Sequence, residues 1–131
     1  MLSVEDQLAI QQLYARYNHA IDSGEGDSWA ACFTPDGVFS SGSGTFAGTT
    51  ALGEFATAFS ARLKARHWTN NLVLDGVGEG AAAGTCYLAL FRLTPGEKPP
   101  ATILTTAIYR DELAKAGGEW RFTKRTVTGD V

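Results

Sequence analysis

The 131-residue sequence predicts an α+β fold, with three N-terminal helices on one face of a curved antiparallel sheet. Two observations carry that expectation. Up to residue 63 most apolar side chains recur at spacings of three and four; from residue 66 onward the chain changes to long strand-forming runs. The links between those runs are short and rich in Gly and Pro, which implies consecutive strands paired antiparallel.

Ser3 begins the first helix, where its hydroxyl caps open N–H groups and Glu5 and Asp6 suit the positive end of the helix dipole. Ile10, Leu13, Tyr14, Tyr17, Ala20 and Ile21 form its apolar face, and Gly24 ends it. Asp27 is expected to cap a short second helix carrying Trp29, Ala30, Cys32 and Phe33. Thr34-Pro35-Asp36-Gly37 reads as a turn, and Val38-Phe39-Ser40 starts the first strand. Ser41 to Gly48 lacks phosphate-loop spacing and reads as a mobile loop or a short edge hairpin. Thr49 or Thr50 opens a third helix striped by Leu52, Phe55, Phe59 and Leu63, with Arg62, Lys64 and Arg66 at its C-terminal end. Four strands follow, over 66–75, 82–93, 101–113 and 119–128; Pro99-Pro100 interrupts the ladder at a hairpin end.

Nothing marks a domain boundary or a repeat, so residues 1–131 are read as one domain. The net charge is −3 without a basic cluster, which argues against nucleic acid as the main partner. No apolar run reaches the length of about 18 residues that a membrane span requires. The first twelve residues carry Glu5 and Asp6 and do not read as a signal peptide, so a reduced cytoplasmic setting is expected. Cys32 and Cys86 fit best as small buried residues. With two histidines and two cysteines there is no convincing metal set and no glycine-rich dinucleotide fingerprint, so no cofactor is expected.

His67 opens the strand after the third helix. Histidine titrates near working pH and serves as acid or base when a neighbour orients it. Asp22 lies at the negative end of the first helix dipole, an unfavourable place for a carboxylate unless something else holds it there. On spacing alone, a solvated residue at a fraying helix end is the simpler account of Asp22. Strand alternation puts His67, Thr69, Asn71 and Val73 on one face unless a bulge intervenes, so Asn71 is the polar neighbour expected for His67. Tyr17 fits either a core position or a hydrogen-bond donor to a substrate oxygen. Tyr87 and Thr105 are candidate wall residues whose facing the sequence leaves open.

In this order the chain resembles the SnoaL-like branch of the nuclear-transport-factor-2-like superfamily. The resemblance rests on Leu13-Tyr14-Ala15-Arg16-Tyr17 through Asp22, Trp29 to Phe39, Gly48 with Leu52 and Phe55, His67 to Asn71, and Gly118-Glu119-Trp120-Arg121-Phe122. It implies a cone-shaped sheet enclosing an apolar pocket, and commonly a homodimer with sheets packed face to face. The catalytic pattern is similar to that of scytalone dehydratase and the bile-acid dehydratases, in which an aspartate ending the first helix pairs with a histidine opening the strand after the third. Asp22 and His67 occupy those places, and Tyr17 matches a tyrosine five residues before the aspartate in the bile-acid enzymes. Phe39, Ser40 and Ser41 stand where scytalone dehydratase has a pocket tyrosine, Thr85, Cys86 and Tyr87 where it has a second histidine, and Thr105 near its pocket asparagine. The resemblance therefore implies a cofactor-independent lyase, isomerase or cyclase acting on a hydrophobic ring compound, polyketide- or steroid-like. His67, Asp22 and Tyr17 are its catalytic candidates; Asn71, Phe39, Tyr87 and Thr105 are its substrate-binding candidates. The alternative is a non-catalytic ligand-binding or structural subunit of the same fold, like the small subunit of ring-hydroxylating dioxygenases.

Overall fold

Helix α1, Val4–Asp22, starts as its sequence dictates: the Asp6 N–H donates to Ser3 Oγ at 3.0 Å. The computed structural model describes every residue from Met1 to Val131. The apolar face of α1 is buried as its spacing predicts, and Asn18 is buried with it. Helix α2 is shorter than expected, Gly26–Ala30; its N-cap is Glu25, with Asp27 inside the first turn rather than capping it. Cys32 and Phe33 fall beyond its end.

Strand β1, Phe33–Ser41, begins earlier than the turn signal suggests. The six residues from Phe33 to Val38 face only three, Phe122 to Lys124, on the neighbouring strand. The Thr34-Pro35-Asp36-Gly37 signal thus marks a wide bulge inside a strand, where proline costs no ladder bond. The Ser41–Gly48 region resolves as a hairpin into β2, Gly44–Ala47. Helix α3 spans Thr49–Arg62.

The meander is formed by β3 (Ala65–Gly78), β4 (Ala81–Leu93), β5 (Ala101–Ala116) and β6 (Glu119–Gly129). These strands pair antiparallel in sequence order. Strand β1 adds beside β6 in parallel, giving one six-stranded sheet of order β2-β1-β6-β5-β4-β3. The sheet curves without closing, and β3 is a free edge. Irregularities between Asn70 and Val73, at Leu90/Phe91 and at Glu112/Leu113 bend it.

The core is aromatic. Trp29, fully buried, lies within 5.5 Å of the rings of Tyr17, Phe33, Phe39 and Phe55. Phe122 carries the cluster on to Tyr14 and Tyr17. Burial of each large apolar side chain contributes about 1.5–3 kcal/mol. No helix is long and apolar enough to cross a membrane.

Candidate active site

The end of α1 meets the beginning of β3. Asp22 Oδ1 lies 2.6 Å from His67 Nδ1, and the His67 backbone N–H donates to both carboxylate oxygens at 3.1 and 3.2 Å. The carboxylate thus substitutes for a neighbouring strand at the free edge of β3, which offsets its placing at the wrong end of the helix dipole. A proton on Nδ1 facing the carboxylate leaves the Nε2 lone pair free in the neutral ring. No group of the protein bonds Nε2. The ring packs against Phe59 at 5.6 Å and is largely buried.

Beside the pair lies an open cleft of about 940 Å³ between α1 and the edge of β3. Tyr14, Asn18 and Asp22 of α1, His67, Thr69 and Leu72 of β3, and Cys86 of β4 line it. Polar side chains outnumber apolar ones along it, while apolar atoms still form slightly more of its surface, so the pocket is mixed where an apolar one was expected. The hollow under the sheet is filled instead, by a buried ion pair in an aromatic cage. Arg125 Nε lies 3.0 Å from Asp111 Oδ1, with both side chains fully buried. The guanidinium sits 3.5 Å from the centre of the Tyr109 ring and 4.3 Å from that of Tyr17. The Tyr14 hydroxyl donates to Asp111 Oδ2 at 2.5 Å, and Arg125 reaches Cys86 Sγ at 3.5 Å. Burial raises the Asp111 carboxyl above its ordinary value, opposed by Arg125 and the Tyr14 hydroxyl. Burial likewise pushes the Cys86 thiol up to about 11, so this cleft-wall cysteine stays protonated at neutral pH. Both cysteines are free and buried.

The other candidates fall elsewhere. Tyr17 is 1 % exposed and belongs to the core, because its helical face packs under Arg125 rather than toward the cleft. Phe39 is buried between Trp29 and Phe55 and does not reach the cleft. Tyr87 is half exposed on the outer face of β4, since its register partner Asn70 also faces outward. Thr105 is exposed on β5 and donates to the Thr106 carbonyl at 3.3 Å. Asn71 lines the cleft but not on the His67 face: it has φ +55° at a bulge, and the inward positions change from Ala65, His67 and Thr69 to Leu72 and Leu74. Sequence reasoning missed Asn18 and the Asp111–Arg125 pair, and placed Thr69 correctly on the His67 face without naming it as a site residue. Asn18 was findable, because it lies four residues before Asp22 and so shares its helix face.

A curved, helix-covered sheet of this order is the cystatin-like fold of nuclear-transport-factor-2-like proteins. Residues 2–126 match the SnoaL-like domain family, and the chain belongs to that family. A variant of Rv3472 from Mycobacterium tuberculosis, described as a protein of unknown function, is 33% identical; the match covers 98% of this chain and 78% of that one, with a TM-score of 0.90. ActVI-ORFA from Streptomyces coelicolor is 22% identical over 95% of this chain and 97% of its own, with a TM-score of 0.86. A candidate scytalone dehydratase from Novosphingobium aromaticivorans is 21% identical over 98% of this chain and 86% of its own, with a TM-score of 0.84. These last two share the fold. No functionally curated protein matches the chain.

Proposed function

We propose that the protein is a cofactor-independent enzyme that moves a proton on a small ring compound, with His67 as base and Asp22 as the group that orients it. The observation that carries this reading is the 2.6 Å Asp22–His67 contact beside a cleft, with Nε2 left unbonded. Membership of the SnoaL-like family supports a small-molecule substrate. The polar side chains in an otherwise mixed cleft wall suit a hydrophobic ring compound that also carries oxygen. For a β-hydroxy ketone the balance is simple. Nε2 takes the proton next to the carbonyl, and the electron pair forms an enolate. Collapse of the enolate makes the new C=C bond and expels the β-hydroxyl, which leaves as water with the proton returned by the imidazolium. The same first step serves double-bond isomerisation or ring closure.

Turnover of 3-hydroxy-1-tetralone and of ring enones, compared between wild type and His67→Ala, tests this reading. A base of this kind contributes about 10²–10⁴-fold, and a loss of that size is expected. Equal rates for the two proteins would remove His67 from the chemistry. The core position of Tyr17 favours a second reading, a ligand-binding module using the same cleft, because the expected oxyanion donor is absent from it. Saturable binding of these compounds without turnover would establish that reading. For the assembly we propose a homodimer through the outer sheet face, supported by the exposed Trp68, Tyr87 and Ile103.

A further inference from the structure

Two rungs join α1 to the free edge of β3, and the Asp22–His67 pair is the first. Asn18 lies one helical turn before Asp22 and Thr69 two residues after His67, so their rung is next to it. Only half of this second rung is made. Asn18 Nδ2 donates to Thr69 Oγ1 at 3.0 Å, while Asn18 Oδ1, shielded from bulk water, accepts nothing. The backbone N–H of Thr69 is unclaimed as well. The His67 N–H turns away from β4 to Asp22, so ladder alternation turns the Thr69 N–H to the same free edge, where no side chain accepts it. In the first rung the carboxylate accepts the edge N–H; in the second the amide oxygen does not. A donor and an acceptor left open on the same rung are both satisfied by one group that accepts and donates, and a hydroxyl does this.

We propose that Asn18 and Thr69 form a hydroxyl-recognition subsite that sets the substrate class. The ligand is a ring compound carrying a hydroxyl about 6–7 Å from the proton His67 removes, the distance spanned by two residues of strand. That hydroxyl accepts from the Thr69 N–H and donates to Asn18 Oδ1. Because Asn18 Oδ1 is buried, the amide, part of the cleft wall, turns to present it, exchanging the Nδ2–Thr69 Oγ1 bond for the bond to the ligand. Asn18 is thus a specificity-determining residue, and the assignment rests on the proton-transfer reading above.

The test compares 3-hydroxy-1-tetralone with 3,6-dihydroxy-1-tetralone, which differ only in a phenolic hydroxyl on the far ring. Dissociation constants are measured by calorimetry on the His67→Ala protein, where no turnover intervenes. The dihydroxy compound is expected to bind at least about tenfold more tightly, because a site built for a hydroxyl rejects the analogue lacking it. Adding Asn18→Ala should reduce that preference to within about twofold. Adding Thr69→Val instead keeps the backbone N–H and should keep the preference. Hydrogen exchange of the Thr69 amide, slowed by the dihydroxy compound alone, reads the contact without altering Asn18. Equal affinities, no binding of either compound at millimolar concentration, or a preference that survives Asn18→Ala overturns the proposal. Wild-type turnover is scored separately. Preferred binding without turnover keeps the subsite and sinks the proton-transfer reading; turnover without the preference does the reverse.

Discussion

Asp22 accepts from the backbone and faces the ring of one residue, His67, so its two jobs separate on substitution. Asp22→Asn keeps an oxygen for the backbone N–H but no longer fixes the ring with a charge. The variant is expected to fold normally by circular dichroism and to lose about 10²-fold or more in turnover. Arg125 and Asp111 make the opposite case, a pair with no solvent access. Asp111→Ala leaves a buried guanidinium uncompensated and should cost about 3–5 kcal/mol in urea unfolding, whereas Asp111→Leu with Arg125→Met should recover most of that. Neither charge is recognisable as buried from its neighbours in sequence. Arg125 follows Lys124 in a strand with Arg121, and only the extra residue at Thr123, between the Leu113↔Phe122 and Glu112↔Lys124 pairs, turns it inward. The bulge at Asn71 misdirects the reading of β3 in the same way.

Helix α1 is held to the sheet at both ends and in the middle, by contacts that differ in kind. In the middle, Gly84 of β4 pairs with Asp111, and the Tyr14 hydroxyl reaches Asp111 across it. A Cβ on Gly84 would meet the Tyr14 oxygen at clashing distance. Gly84→Ala should therefore destabilise by about 1–3 kcal/mol, and the cost should shrink in a Tyr14→Phe background, where the hydroxyl is gone. Thermal melts of the four proteins check this. At its start, Asp6 accepts from the Trp120 indole and from Lys115, both at 2.9 Å. The Trp120 bond first, then Lys115, lower the Asp6 carboxyl from 3.8 to about 2. A folded value below the unfolded one gives stability that is complete above about pH 4 and is lost as pH falls through about 2. Acid titration followed by Trp120 fluorescence should show that loss shifted to higher pH in Lys115→Ala. The boundaries of α1 and α3 and the order of the four long strands were legible because periodicity and turn residues act locally. The early start of β1 and its parallel pairing with β6 were not, because they depend on a strand distant in sequence.

Across the whole molecule the outer sheet face exposes Trp68, Tyr87 and Ile103, with the Trp68 and Phe91 rings in tilted contact 4.7 Å apart. If that face joins two copies, sedimentation of the wild type at micromolar concentration should give a dimer and Trp68→Lys a monomer. A wild-type monomer would reject the assembly. The sequence by itself determined the α+β class and the order of the elements, while the approach of Asp22 to His67 was implied by the family resemblance and not by spacing. Helix period, strand alternation and short connections leave few ways to arrange such a chain. Only the tertiary structure decided what surrounds the pair. It filled the hollow with Arg125 and aromatic rings, put Tyr17 and Phe39 in the core, and opened a cleft of mixed polarity whose wall includes Asn18 and Thr69. The physical reason is that one bulged residue reverses the facing of the strand residues beyond it, and bulges are set by pairing across the sheet.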